Sequence, residues 1–264
     1  MTQSWLQWHK EQEGLFIDGN GDRHTFWLNL PMGFLEKTKG EKRSSLKPWP
    51  LLLYLHGNGG GSFLAHSKKA LRSVGMAHAA EHFVICSPAC DWNWKQTPRL
   101  WVLELLRQLR AASWIDISRV YVTGCSMGGM GVWELASMAP ELVTAIAPVA
   151  AHHQADRTDF IANQLKNTPT LAVHSLSDST CPLRPEEVLW GKLLQLGNSR
   201  LEVSCVPAVD HCSMFERAYC DDVTLYEWLL SHRSPKGPAR TSRGTSSSCA
   251  VPPHQPRASR ASVG

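Results

Sequence analysis

Four short segments of the chain combine residue types that can carry acyl transfer. Gly124-Cys125-Ser126-Met127-Gly128-Gly129 follows the apolar run Val120–Thr123 and precedes a helical pattern. This is G-x-S-x-G in a strand–turn–helix context. Such a turn pushes the serine hydroxyl out over a sheet, and the flanking glycines are needed because a Cβ there would strike neighbouring backbone. A glycine-containing turn with an incidental serine would share the five letters; the strand before and the helical pattern after favour Ser126 as a nucleophile. His56-Gly57-Asn58-Gly59-Gly60-Gly61 follows the apolar run Leu51–Leu55. Glycines leave backbone N–H groups open to a developing oxyanion, so the expected donors are the N–H of Met127 and that of Asn58, with Gly59 beside the substrate. A phosphate-cradling loop is the competing reading, but the segment lacks both the G-x-x-x-x-G-K-[ST] ending and the G-x-G-x-x-G spacing.

Two further segments supply an acid and a base. Ser175-Leu176-Ser177-Asp178 follows the run Thr170–His174, and Val209-Asp210-His211-Cys212 follows Leu201–Val206. An acid after a late strand can orient an imidazole, and an imidazole after the last strand can accept the proton of the serine. Asp178 on its own could be a turn residue. The chain order serine, acid, histidine favours it as the acid, with Asp210 as the alternative; neighbours on an extended loop tend to point apart, which counts against Asp210. His152 and His153, with Asp156, could imitate metal ligands, but adjacent histidines rarely converge on one ion. No metal and no organic cofactor is expected. Asp18-Gly19-Asn20-Gly21-Asp22 resembles the start of a calcium loop, yet its sixth position is Arg23 and its twelfth is Asn29, where glycine and glutamate are needed.

These segments require elements that place them together. Strands are expected at Leu51–Leu55, Phe83–Ser87, Arg119–Thr123, Thr144–Ala150, Thr170–His174 and Leu201–Val206. Helices are expected at His66–His82, Pro98–Ala112, Gly128–Met138, Pro185–Leu196 and Val223–His232. Continuous apolar strands separated by helices imply an α/β fold with a mostly parallel sheet covered on both faces. Ligands in such sheets sit beyond the carboxyl ends of the strands, where all four segments fall. A hairpin is expected at about residues 14–30, turning at Asp18–Asp22. Only 19 residues, Ala151–Pro169, separate two of the strands. That connection is too short for a helical cap, so an open cleft taking compact esters, without activation at an oil–water interface, is expected. Its walls would be Trp92 or Trp94 on one side and His152 or His153 on the other, though the two tryptophans could equally pack beneath a surface loop.

The motifs resemble those of the alpha/beta-hydrolase esterases related to polyhydroxybutyrate depolymerases, feruloyl esterases and so-called predicted peptidases. The likeness runs from about Pro50 to His232. It includes LLLYLHGNGGG, FVICSPAC with nearby Trp94, IDISRVYVTGCSMGGMGVWELA, SLSDSTCP, and DHCSMFERAY followed by EWLL. The resemblance implies the α/β-hydrolase fold with little or no cap, and triad roles for Ser126, Asp178 and His211. The chain departs from the family in two places. Ser175 stands where glycine usually follows the strand-ending histidine, and Ala151-His152-His153-Gln154 stands where the loop is commonly glycine-rich.

Composition narrows the function classes. Hydrophobic residues are 43% and charged residues 19% of the 264, an ordinary globular mix. No apolar run reaches the length of a membrane span, and the first ten residues do not read as a secretory leader. The last 31 residues carry five of the basic residues and no acid, leaving 22 basic against 23 acidic elsewhere. The net charge of +4 therefore gives no broad basic surface for nucleic acid. Residues 1–233 are expected to form one domain. The Ser-, Pro- and Arg-rich stretch 234–264 has too little apolar surface to offset ordering and is expected to be disordered. The eight cysteines form no C-x-x-C pair, and reduced thiols in a cytoplasmic protein are expected. A Ser-His-Asp esterase is the reading these features favour. An amidase, peptidase or thioesterase on the same scaffold would use the same triad. A non-catalytic binding protein would be expected to have lost a triad member or an elbow glycine. Oligomeric state leaves no mark in the sequence.

Overall fold

The computed structural model describes residues 11–31, 34, 48–58, 60–63, 73–90, 93–94 and 98–235. Eight strands form one sheet: β1 (Glu11–Ile17), β2 (Arg23–Asn29), β3 (Trp49–Leu55), β4 (Val84–Pro88), β5 (Ile115–Cys125), β6 (Ala145–Val149), β7 (Thr170–Ser175) and β8 (Leu201–Val206). Their spatial order is β1-β2-β4-β3-β5-β6-β7-β8. The hairpin β1–β2 and the pair β2–β4 are antiparallel, and every other pair is parallel. The hairpin turns where Asp18 accepts backbone hydrogen bonds from Asn20 and Asp22, at 2.9 and 3.0 Å, and faces His24 at 2.9 Å. Its carboxylate thus serves the turn.

The described helices are α1 (Val74–His82), α2 (Pro98–Ala111), α3 (Met127–Met138), α4 (Thr158–Leu165), α5 (Leu183–Gln195), α6 (Met214–Tyr219) and α7 (Thr224–Ser231). The part of the expected first helix before Ser73 lies outside the described residues. Two short 3-10 turns, Pro140–Leu142 and Ala155–Arg157, complete the connections around β6. Among the described residues, no helix is long and apolar enough to cross a membrane.

Side chains of a strand alternate between the two faces of its sheet. Leu51, Leu53 and Leu55 of β3 accordingly join one cluster, which contains Val102 and Leu106 of α2, Trp133 of α3 and Leu189 of α5. Leu52 and Tyr54 join the other, with Met76 of α1, Tyr219 of α6 and Leu229 of α7. Both faces of β3 are therefore dry, which is why it reads as a continuous apolar run. Burying each of its leucines contributes about 1.5–3 kcal/mol. The loop at its carboxyl end, His56–Asn58, is consequently hung from one of the most deeply packed segments of the molecule.

β5 begins at Ile115, earlier than its apolar run suggests, because Ile115 pairs with Trp49 across a register shift in β3. The polar residues Asp116, Ser118 and Arg119 within it bond to one another. Beyond α7, Ser234 still docks on the sheet: its N–H donates to the Ser118 carbonyl at 3.0 Å. Seven cysteines are described and none is in a disulfide.

Candidate active site

Ser126 lies between β5 and α3 with φ 59° and ψ −119°. This conformation is strained for a residue with a side chain. Its N–H donates to the Val149 carbonyl of β6 at 2.9 Å, which ties the turn to the neighbouring strand. A serine at a helix N-cap usually accepts a hydrogen bond from its own helix. Ser126 makes no such cap, and its hydroxyl instead faces Nε2 of His211 at 2.8 Å.

Close packing forces the glycines here. A Cβ on Gly124 would lie 2.6 Å from the Leu55 carbonyl oxygen, and one on Gly128 would lie 1.8 Å from it. Both contacts are with backbone, so no side chain can swing aside. Gly128→Ala is therefore expected to cost at least the ~1–3 kcal/mol typical of overpacking. Thermal unfolding should show a melting temperature lowered by several degrees, with serine reactivity lost; a variant as stable as the parent would contradict this packing.

His211 follows β8, and its Nδ1 lies 2.7 Å from Oδ2 of Asp178. An ionised carboxylate only accepts, so Nδ1–H donates to Asp178 and Nε2 is left to accept the Ser126 proton. The other oxygen of Asp178 accepts the N–H groups of Thr180 and Cys181 at 2.9 and 2.7 Å. The Asp178 side chain is wholly buried. The alternative acid, Asp210, points away: it accepts the N–H groups of Cys212 and Ser213 and the Ser213 hydroxyl. These bonds hold its carboxyl below the ordinary value. It stands exposed as the cap of the turn leading into α6.

The loops that carry Asp178 and His211 are fastened to each other. The Ser175 hydroxyl donates to the Val209 carbonyl, two residues before His211, and accepts from the Ser177 N–H at 3.0 Å. A glycine at 175, usual in the resembled family, could not make this link. His174 Nε2 donates to the Cys181 carbonyl at 2.8 Å, closing the acid turn from the other side. Neither contact is legible from composition or periodicity.

On the opposite flank, His56 organises the glycine-rich loop. Its Nε2 accepts the Cys90 N–H at 2.9 Å, so Nδ1 carries the proton and donates to the Gly57 carbonyl at 2.8 Å. Asn58 follows directly, and a Cβ on Gly57 would come 3.7 Å from Cβ of Ser126. This places the loop alongside Ser126. Trp94 donates its indole N–H to the His56 carbonyl at 2.9 Å and is 1% exposed. Its ring packs so tightly on α3 that a Cβ on Gly131 would meet it at 2.6 Å. Trp94 is thus a prop beneath the loop and not an open wall of the cleft, because the indole fills the space between His56 and α3. Gly59 and Trp92 lie outside the described residues.

The two adjacent histidines divide. His153 is buried, with Nε2 2.7 Å from the Thr158 hydroxyl and Nδ1 3.4 Å from Glu186, whose other oxygen accepts from Trp133 at 2.9 Å. It braces α3, the β6 loop and α5, and does not face the cleft. His152 remains half-buried with Nδ1 3.3 Å from the Cys181 thiol. Among the described residues, no group of three or more His, Cys, Asp or Glu could hold a metal ion.

No family model matches the chain. The chain is similar to the bifunctional acetylxylan esterase/xylanase XynS20E of Neocallimastix patriciarum, 26% identical over 186 residues, covering 68% of this chain and 26% of that protein. It is also similar to 3-O-acetylpapaveroxine carboxylesterase CXE2 of Papaver somniferum, 24% identical over 178 residues, covering 61% of this chain and 55% of that protein. The chain spans about a quarter of the first relative's length and about half of the second's. A solved structure of a thermostable esterase superposes with a TM-score of 0.68 at 21% identity, covering 85% of this chain and 63% of that one. Strand order, elbow and this superposition together make the scaffold the α/β-hydrolase fold, as the motif resemblance implied.

Proposed function

We propose that the chain is a serine carboxylesterase working through a Ser126–His211–Asp178 triad. The observation that carries this reading is the unbroken hydrogen-bonded line from the Ser126 hydroxyl through the His211 ring to a buried carboxylate, at 2.8 and 2.7 Å. His211 accepts the serine proton as the hydroxyl attacks the ester carbonyl. The N–H groups of Met127 and Asn58 receive the oxyanion. Asp178 holds the imidazole in the productive tautomer and stabilises its charged form. The alcohol leaves with the proton from His211, and water repeats the cycle on the acyl-enzyme. The chemistry requires no metal or organic cofactor. Both curated relatives are named as esterases, which favours an ester over an amide. The short β6–β7 connection, with α4 as its only described α-helix, favours a compact ester over a long-chain lipid.

The test is labelling by a fluorophosphonate probe together with hydrolysis of p-nitrophenyl acetate. Stoichiometric labelling at Ser126 and turnover are expected; a folded protein giving neither would overturn the reading.

A further inference from the structure

β8 ends the sheet on the side away from the hairpin, and among the described residues no strand pairs with it beyond β7. Glu202–Cys205 are exposed, and Val203 keeps 43% of its surface open. An open edge presents a row of unpaired N–H and C=O groups, and the bonds to β7 show which residues present them. The Thr170 N–H donates to the Arg200 carbonyl and the Leu176 N–H to the Val206 carbonyl, both at 3.0 Å. Successive residues of a parallel strand turn their backbone groups to opposite sides. Arg200, Glu202, Ser204 and Val206 therefore face β7, and the N–H and C=O groups of Leu201, Val203 and Cys205 point out of the sheet. Natural edges are commonly blunted by lysine, proline or a bulge. Leu201–Val206 contains neither lysine nor proline, and its register with β7 is unbroken.

We propose that β8 pairs antiparallel with β8 of a second copy of this chain, about a two-fold axis through Val203, so that two sheets become one. The proposal does not depend on the esterase reading. In this register Val203 meets Val203 of the second copy, and Leu201 meets Cys205. These are the outward-pointing residues, and antiparallel partners of this kind exchange both N–H···O=C bonds. Three pairs then use every free group on both edges, about six hydrogen bonds in all. Charge and backbone chemistry reject the neighbouring two-fold registers. An axis through Glu202 would set that carboxylate directly against its own copy, which is destabilising. An axis through Ser204 or Cys205 would set Leu201 or Val203 opposite Pro207, which has no N–H to give. An axis through Leu201 would set Cys205 opposite Gly197, where the chain turns with φ 85°. The Val203 axis instead places Glu202 opposite Ser204, a hydroxyl donor. One Glu202 oxygen already accepts the Trp228 indole N–H at 2.7 Å, and the other is left for that hydroxyl. The edge is thus complementary to its own reversed copy in hydrogen bonds and in charge.

The experiment follows the full chain by sedimentation equilibrium under reducing conditions, in a concentration series reaching ~100 µM. The wild type should pass from monomer to dimer. Val203→Pro removes an N–H that β7 does not use, so circular dichroism should show a folded chain. It deletes both bonds of the central pair and should weaken the dimer at least about tenfold. Val203→Lys sets like charges across the axis and should weaken it as well; it decides the matter if the proline variant does not fold. Leu201→Cys reports the register, because hydrogen-bonded antiparallel partners lie within disulfide range. Oxidation by diamide should link it to Cys205 of the second copy, and adding Cys205→Ser should abolish that link. A wild type monomeric throughout the series, or a dimer insensitive to both Val203 variants, would overturn the proposal. So would the absence of the Leu201→Cys link, or its survival beside Cys205→Ser. A monomer that dimerises only after residues 236–264 are removed would give the edge to that segment and overturn the proposal too.

Discussion

Ser126→Ala is expected to lower ester hydrolysis by ~10⁴-fold or more and to abolish fluorophosphonate labelling, while the protein stays folded. The size follows from covalent catalysis. Without the hydroxyl there is no acyl-enzyme, and only positioning and the oxyanion donors remain. The fold should survive because the Ser126 side chain makes no cap for α3. Its backbone contacts, the N–H to Val149 and the carbonyl accepting from Met130 at 3.0 Å, do not depend on Oγ. Alanine tolerates φ 59° about as badly as serine, so the strain is unchanged. The loss is one hydrogen bond to His211, net about 1 kcal/mol. Circular dichroism and a melting curve close to those of the parent are expected beside the collapsed rate. Hydrolysis above about a tenth of the parent's would show that another nucleophile carries the reaction.

The inner parallel strands could be read from sequence because β3, β4, β6 and β7 are dry on both faces and leave nearly continuous apolar runs. All six expected strands correspond to observed ones, including β8, which lies largely exposed at the sheet edge. Elements that depend on pairing or on local capping were harder to see. The first residues of β5 mix apolar Ile115 and Ile117 with polar Asp116, Ser118 and Arg119, and the pairing of Ile115 with Trp49 draws them into the sheet. Helix α6 is only six residues long and follows His211 so closely that it reads as part of the histidine loop. Its start is marked by Asp210 and Ser213, whose side-chain bonds show only in three dimensions.

At the site, residue types in chain order pointed to Ser126, Asp178 and His211, which follow β5, β7 and β8. Sequence alone left two carboxylates as candidates, and the direction of Asp210 is a matter of turn geometry. Trp94 and His153 show the limit more sharply. A large or polar side chain in a loop after a strand can face the cleft or brace the loop from below. Deciding between them needs the partner atoms: the His56 carbonyl for Trp94, and Thr158 with Glu186 for His153. Glu186 itself lies near the start of a helix, where an acid looks like a surface residue. Ser175 appeared only as a departure from a family habit, and its bond to the Val209 carbonyl explains what that departure accomplishes.

Asp178→Asn is expected to reduce kcat by on the order of 10⁴-fold, whereas Asp210→Asn should stay within a few-fold of the parent. Both replacements remove one negative charge and keep the side-chain shape, so their contrast isolates position. At 178, the oxygen facing Thr180 and Cys181 must still accept two N–H groups, at 2.9 and 2.7 Å. That requirement turns the new amide nitrogen toward His211. Two donors then oppose each other unless Nδ1 gives up its proton, which moves the proton to Nε2. In that tautomer Nε2 faces the Ser126 hydroxyl as a donor and cannot serve as a base. The imidazolium formed later in the cycle also loses the buried charge that stabilises it. At 210, an asparagine oxygen can still accept from Cys212 and Ser213, the turn persists, and the side chain is too exposed for its charge to matter strongly at the histidine. Steady-state kinetics on p-nitrophenyl acetate separate the cases. Equal losses, or a larger loss at 210, would mean that the buried carboxylate beside Nδ1 is not the residue that orients the base.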